Sequence, residues 1–129
     1  MYLVDSDVLI NFLKGEEQAV KIIKKIQNKS LYVSIVSVGE IFEGLLETKN
    51  KKKLTSFKEL LKTFTTINID FPIIEKFASV RKSLRQKGLL IDNFDLLIAS
   101  TCLIHDLIII TNNIFHFERI PGLKIYSQI

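Results

Sequence analysis

Short apolar runs and longer amphipathic segments alternate from the start of the chain. The run Tyr2–Val4 ends at Asp5, and the apolar residues that follow recur at helical spacing as far as Gly15. Residues 16–28 place isoleucines on one face and lysines on the opposite face, which is typical of a surface helix packed on a core. The first part of the chain therefore predicts a strand followed by two helices.

The same alternation continues along the rest of the chain. Apolar and β-branched runs predict further strands at residues 31–35, 65–69 and 107–111, and a short fifth strand at 123–126. Periodic apolar residues predict one helix with Ser37 as its N-cap. They predict three further helices over residues 50–64, 72–88 and 94–105. Strands that alternate with helices in this way predict a three-layer α/β/α sandwich with a mainly parallel central sheet of four to five strands. We expect one domain over residues 1–129.

Composition and charge narrow the class of protein. The chain is 47% hydrophobic and 25% charged, so it has enough apolar surface to form a core, and its net charge of +4 permits an acidic partner such as a nucleic acid. The most apolar stretch, residues 96–110, contains polar residues and is shorter than a membrane span, so no membrane association is expected. One cysteine and an amino end without a secretion signal predict a cytoplasmic protein.

Polar residues follow the predicted strands at the edge where sites form in open α/β sheets. Asp5 and Asp7 follow the first strand, and Glu40 comes soon after the second. Asp92 and Asp95 stand at the start of the predicted buried helix. The fourth strand leads into three further polar residues, Thr111, Asn112 and Asn113.

Several carboxylates at one edge of a sheet repel one another, and an unpaired carboxylate in apolar surroundings costs free energy. The basic residues are concentrated elsewhere, in residues 21–29, 49–62 and 76–87. A hard divalent cation, Mg²⁺ or Mn²⁺, fits oxygen ligands of this kind and leaves coordination positions for phosphate oxygens. An acidic metal site on a basic protein indicates a phosphodiester substrate.

Structural roles compete with this interpretation for each acid taken singly. Asp5 and Asp92 are able to cap the helices that follow them, and Glu40 is able to form a capping box with Ser37. Asp95 is able to complement a helix dipole. The occurrence of all four near strand ends is what favours a metal site.

Three other features are expected to be structural. His105 and His116 have no partners at a zinc-like spacing, and the lysine run at residues 51–53 is expected to be a solvated helix face. Phe115 and Phe117 are expected to fill the core, with stacking on an RNA base as the alternative for this pair.

Taken together, the chain resembles the PIN-domain proteins, and among them the VapC-type toxin ribonucleases of toxin–antitoxin pairs. The resemblance extends over almost the whole chain and is carried by four segments in the family's order and spacing: residues 3–10, 34–41 with Gly44, 95–100, and 111–113 followed by 117–123. Each segment is weakly specific alone, and together they are specific.

The resemblance implies a fold, a reaction and a set of site residues. The three acids of the family match Asp5, Glu40 and Asp95, and its fourth position, which is Asp or Asn, matches Asn113. It implies Mg²⁺- or Mn²⁺-dependent cleavage of RNA, with these three acids as catalytic and metal-binding residues. The accessory or substrate-positioning candidates are Ser6, Asp7, Asp92, Thr111, Asn112 and Asn113.

Two departures from the family pattern affect these expectations. The common first motif has Thr and Asn at the positions of Ser6 and Asp7, so this chain keeps a hydroxyl and adds a possible charge. Asn113 supplies no charge, so a second metal ion is expected to bind more weakly. The resemblance also implies a cognate VapB-type antitoxin and a homodimer.

Two other functions remain open from the sequence. The segment 5–8 after a strand also suits the nucleophile motif of haloacid-dehalogenase-like phosphatases, which need a catalytic lysine and a late acidic motif. A non-catalytic PIN-like module that only binds RNA or a protein is the second alternative. It gives no reason to retain three buried acids.

Overall fold

The structure is a computed structural model that describes residues 1–126. Helices and strands alternate along the chain as the apolar pattern predicts. In chain order they are β1 (Tyr2–Val4), α1 (Ser6–Leu13), α2 (Glu17–Ile26), β2 (Leu31–Ser34), α3 (Ile35–Thr48), α4 (Lys51–Leu61), β3 (Thr65–Ile67), α5 (Phe71–Gln86), α6 (Asn93–His105), β4 (Ile108–Ile110), α7 (Ile114–Phe117) and β5 (Lys124–Ile125).

The five strands form one parallel sheet in the order β3-β2-β1-β4-β5. The first strand lies at its centre, with Leu3 opposite Tyr32 of β2 on one side and Ile109 of β4 on the other. This arrangement confirms the predicted parallel sheet, including the short fifth strand.

Helices cover both faces of the sheet, so the predicted three layers are confirmed. Successive residues of a strand point to opposite faces, and the central strand shows this directly. Val4 packs in a core with α1, α2, α3 and α4, whereas the neighbouring Leu3 packs in a second core with α5 and α6. Both residues are fully buried.

The order of the strands reverses between β1 and β4. From β1 the chain builds outward to β2 and β3, and it then returns across the sheet through α5 and α6 to place β4 on the other side of β1. The pairing continues to the strand ends, where the Asp5 N–H donates to the Ile110 carbonyl at 2.9 Å. Such a reversal opens a crevice at the carboxyl ends of the two strands, which is where sites form in this architecture.

The predicted N-cap of α3 is wrong. The helix begins at Ile35, one turn earlier than expected, and the hydroxyl of Ser34 caps it by accepting from the Val36 N–H at 3.1 Å. Ser37 is instead fully buried within the helix, and its hydroxyl has no hydrogen-bond partner. A capping box between Ser37 and Glu40 is therefore excluded, and Glu40 lies in the second turn of α3.

The last third of the chain shows two differences from the expectation. Residues 114–117 form a short helix, α7, that was not predicted. Phe117 fills the core as expected, but Phe115 is 67% exposed, so its predicted core position is wrong. The difference arises because two residues along a helix separate side chains by about 200°.

Two further features are the length of the apolar helices and the position of the cysteine. None of the helices formed by residues 1–126 combines the length and the apolar character needed to span a bilayer. Cys102 is a residue of α6 and is buried in the core. Burial raises the pKa of its thiol, which leaves it unreactive.

Candidate active site

Asp5 is the residue around which the site is built. It follows β1 directly and caps α1, since its Oδ1 accepts from the Ser6 N–H at 2.8 Å. Its second oxygen, Oδ2, accepts from the hydroxyl of Thr111 at 2.8 Å, at the end of β4. The residue is only 4% exposed. The capping role and the site role therefore coexist, one on each carboxylate oxygen.

Glu40 reaches the same place from α3. Because Ser34 starts the helix immediately after β2, Glu40 lies about one and a half turns beyond the strand end. Its Oε1 accepts from the hydroxyl of Ser6 at 3.3 Å. Ser6 therefore connects the two acids, through its backbone N–H to Asp5 and through its side chain to Glu40.

Asp95 is the third acid, in the first turn of α6. Its Oδ2 accepts from Nδ2 of Asn113 at 3.3 Å and lies 3.6 Å from Nδ1 of His116. Asn113 in turn donates its backbone N–H to the Thr111 hydroxyl at 3.0 Å. Hydrogen bonds thus run without a break from Asp95 through Asn113 and Thr111 to Asp5.

Asp7 lies beside this network. Its Oδ2 accepts from the backbone N–H of Asn112 at 3.1 Å, and its Oδ1 is buried without a hydrogen-bond partner. A buried carboxylate oxygen of this kind lacks the solvation that an anion needs. Asn112 contributes its backbone rather than its side chain, which is exposed.

Asp92 does what the capping alternative predicts. It is the N-cap of α6, and its Oδ2 accepts from the Phe94 N–H at 3.0 Å. The residue is exposed. Its charge nevertheless contributes to raising the pKa of both Asp95 and Glu40, so it lies at the edge of the site.

The carboxylates of the site disfavour one another's charge. Burial is the largest cause that raises the pKa of Asp5, Asp7, Glu40 and Asp95, and for Asp7 the pKa rises to about 6. Repulsion from Asp5 adds to the rise for Asp7 and Glu40, and repulsion from Asp92 adds to it for Asp95. These mutual effects require the four groups to share one region.

The donor set fits a hard divalent cation. All the acids present oxygen atoms, and Oδ1 of Asp7 has no hydrogen-bond partner. The lysine ion pairs of residues 1–126 involve Glu17, Glu59 and Asp106, which lie outside the site. Within the same residues, no three Asp, Glu, His or Cys side chains are arranged to coordinate one ion directly. Mg²⁺ commonly takes only one or two carboxylates and completes its shell with waters and phosphate oxygens, so a pair of acids is the number that it needs.

The structure brings together Asp5, Glu40 and Asp95, as predicted from positions far apart in the chain, with Ser6, Thr111 and Asn113 between them. His116, which was expected to be structural, lies at the site, because its Nδ1 is 2.9 Å from Nδ2 of Asn113. The available signal was its position three residues after Asn113, which is one helical turn. A helix as short as α7 shows no periodicity from which to recognise that turn.

The fold and the site define an α/β protein with carboxylates gathered at the switch point of a parallel sheet. The PIN domain family profile matches residues 2–123, and the chain therefore belongs to the PIN-domain family. This family, rather than the haloacid-dehalogenase-like phosphatases, accounts for the acidic segment after β1.

Relatives of known name are ribonucleases. The chain is 36% identical over 128 residues to the ribonuclease VapC1 of Methanocaldococcus jannaschii, covering 98% of this chain and 87% of the relative. It is 33% identical over 98 residues to the ribonuclease VapC2 of Rickettsia felis, covering 75% and 73% of the two chains.

Solved structures share the fold. A chain of the VapBC2 complex of Rickettsia felis bound to a promoter DNA fragment superposes with a TM-score of 0.90 at 24% identity, covering 99% of this chain and 98% of that one. A chain of the DNA-bound VapBC complex of Salmonella typhimurium superposes with a TM-score of 0.86 at 22% identity, covering 97% and 96%.

Proposed function

We propose that this protein is a divalent-metal-dependent endoribonuclease, the toxin of a VapBC-type toxin–antitoxin pair, which hydrolyses phosphodiester bonds of RNA. The observation that carries the proposal is the unbroken hydrogen-bond network that joins Glu40, Asp5 and Asp95 through Ser6, Thr111 and Asn113. The two VapC relatives, which bear the name ribonuclease, support the reaction class.

Asp5 and Asp95 would hold the ion, Mg²⁺ or Mn²⁺, with Glu40 close to it. When bound, the ion supplies Lewis acidity that lowers the pKa of an attacking water and neutralises charge on the phosphate. It would also relieve the repulsion that raises the pKa values of these acids. Asp7 is a fourth acid, with a buried Oδ1 that has no hydrogen-bond partner.

The remaining groups position the reactants. One carboxylate oxygen of Glu40 is held by the Ser6 hydroxyl, which leaves the other free to orient the attacking water. The Asn113 amide holds Asp95 in place, and the Thr111 hydroxyl does the same for Asp5. Of the predicted phosphate donors, Ser6 and Thr111 already donate their hydroxyl hydrogens to Glu40 and Asp5, so the exposed side-chain amide of Asn112 is the remaining candidate. Water then attacks phosphorus as the bond to the leaving oxygen breaks.

A partner surface adjoins the site. An apolar groove of about 190 Å³ between α1, α3 and α4 is lined by Ile10, Leu13, Ile41 and Leu45. It meets, at Gly44, a second groove where acidic residues of α3 face Phe94. A VapB-type antitoxin segment that pairs an apolar face with a basic side chain would fill both grooves and block the acids. The named VapBC complexes among the solved structures support a partner of this kind.

The acids provide the decisive experiment. Asp5→Asn and Asp95→Asn should each abolish cleavage of single-stranded RNA in Mn²⁺ while circular dichroism shows an unchanged fold. Asp106→Asn is the matched control, because it removes an exposed aspartate that lies outside the site and pairs, within residues 1–126, with Lys124. Full activity of either site variant would refute the assignment.

Calorimetric titration with Mn²⁺ separates a nuclease from a non-catalytic PIN-like module. The nuclease should bind the ion with an affinity that Asp5→Asn reduces, whereas a module that only binds RNA or protein would release no heat. A homodimer and a cytoplasmic location remain predictions, and light scattering of the purified protein tests the first of them.

A further inference from the structure

Phe115 is an aromatic side chain placed in solvent beside the active site. It is 67% exposed, although Phe117, two residues later, is fully buried. A single exposed apolar side chain needs no explanation by itself. Its neighbours matter here, because Arg119 holds the ring in place and His116 lies between the ring and Asp95.

Arg119 holds the ring from one side. Its guanidinium carbon lies 5.0 Å from the centroid of the Phe115 ring, within the range of a cation–π interaction. The same guanidinium donates from Nη1 to the carbonyl of Leu90 at 3.2 Å, in the segment that leads into α6. The ring therefore packs against an arginine side chain that is itself held by a hydrogen bond.

His116 places the ring close to the reacting centre. The imidazole centroid is 6.2 Å from that of Phe115, and its Nδ1 is 3.6 Å from Oδ2 of Asp95. One side chain thus separates the exposed ring from a proposed ligand of the ion. A nucleotide whose phosphate reached Asp95 would bring a neighbouring base within reach of Phe115.

Charge also favours this side of the site for a polyanion. Arg119 contributes a positive charge directly against the Phe115 ring. The groove between α3 and Phe94 is acidic, with Glu43 and Glu47 along α3. A polyanion is therefore attracted by Arg119 and repelled by the groove along α3.

We propose that Phe115, braced by Arg119, is a stacking platform for an unpaired base of the RNA, in the nucleotide adjacent to the scissile phosphate. This inference rests on the proposed function and names a residue that would position its RNA substrate. Aromatic side chains bind such bases through their faces, and every base offers one. The guanidinium N–H groups of Arg119 other than those of Nη1, which donates to Leu89 and Leu90, remain available to a phosphate.

The test compares Phe115→Ala with Phe115→Trp on a single-stranded RNA oligonucleotide that contains a mapped cleavage site. Loss of one stacked base should lower kcat/KM about ten-fold, chiefly through KM, and the tryptophan should restore it. Phe71→Ala is the matched control, since Phe71 is 75% exposed at the start of α5. Thermal melting checks that each variant is folded.

A second arm identifies the base. Oligonucleotides with an abasic residue on either side of the cleavage site are cut by the unaltered protein and by Phe115→Ala. We expect one abasic position to weaken cleavage by the unaltered protein about ten-fold and to have no further effect on Phe115→Ala. If Phe115 had only a structural role, the loss caused by Phe115→Ala and the loss caused by the abasic residue would be additive.

The outcomes distinguish this proposal from the one on which it rests. If the unaltered protein cleaves no RNA in Mn²⁺, the proposed function fails and the platform fails with it. If it cleaves RNA but Phe115→Ala keeps the same KM and kcat, only the platform is refuted, and the exposed ring is left for a protein partner. An equal loss in Phe71→Ala would also refute it.

Discussion

Thr111 donates its hydroxyl hydrogen to Oδ2 of Asp5 at 2.8 Å, across 106 positions of the chain. Both residues are buried where the two central strands of the sheet end. The bond supplies part of the solvation that Asp5 loses on burial, and it acts against the rise in the pKa of that carboxyl group. It also fixes the position of one carboxylate oxygen on which the site depends.

Replacing Thr111 should therefore weaken the fold and the site together. Thr111→Val keeps the shape of the side chain but leaves Asp5 without its buried donor, and we expect a loss of about 1–3 kcal/mol in the free energy of unfolding near pH 7. Thr111→Ser retains the hydroxyl and should lose less than about 1 kcal/mol. Urea denaturation in EDTA measures both changes. Equal stabilities of the two variants would show that the bond contributes nothing.

Two serines of one segment should respond in opposite ways to alanine. Ser34 caps α3, so Ser34→Ala should cost about 1 kcal/mol of stability. Ser37 buries a hydroxyl without a partner, so Ser37→Ala should leave the stability unchanged or raise it. Thermal denaturation of the two variants decides which serine starts the helix. A larger loss for Ser37→Ala would restore the start expected from the sequence.

The stability of the metal-free protein should fall as the pH rises. The pKa of Asp7 is about 6 in the folded protein against an ordinary value of 3.8, so between these values the folded state holds a proton that the unfolded chain has released. The free energy of unfolding therefore decreases with rising pH across this window. The raised pKa values of Asp5, Glu40 and Asp95 act in the same direction.

Melting temperatures recorded in EDTA between pH 4 and pH 8 test this dependence. Asp7→Asn is the reference, because its advantage over the unaltered protein should appear between about pH 4 and pH 6 and stay constant above. Mn²⁺ added at pH 7.5 should raise the melting temperature of the unaltered protein, since an ion that binds only the folded state stabilises it. A constant difference over the whole range would contradict the raised pKa of Asp7.

The sequence located correctly those site residues that directly follow a predicted strand or stand at the start of a predicted helix. Asp5 follows a short apolar run, and Asp95 follows a capped helix start, so their place at the edge of the sheet could be predicted. The pairing of β1 with β4 follows from no local feature, yet it brings Thr111 to Asp5. Contacts of this kind depend on the strand order, which hydrophobic periodicity does not determine.

The errors have local causes as well. Two serines three residues apart both suit an N-cap, and the choice between Ser34 and Ser37 depended on where β2 ends. The short helix α7 offered too few residues to show which side chains face outward. It therefore concealed both His116, which contacts Asp95, and Phe115, which lies in solvent.

The position of β4 in the sheet sets the order in which the site is assembled during synthesis. The strand pairs with β1 but is translated about a hundred residues after it. Thr111 and Asn113 leave the ribosome later still, and they hold Asp5 and Asp95 in place. A nascent chain that ends before these residues therefore has the first acid of the site without the contacts that complete it.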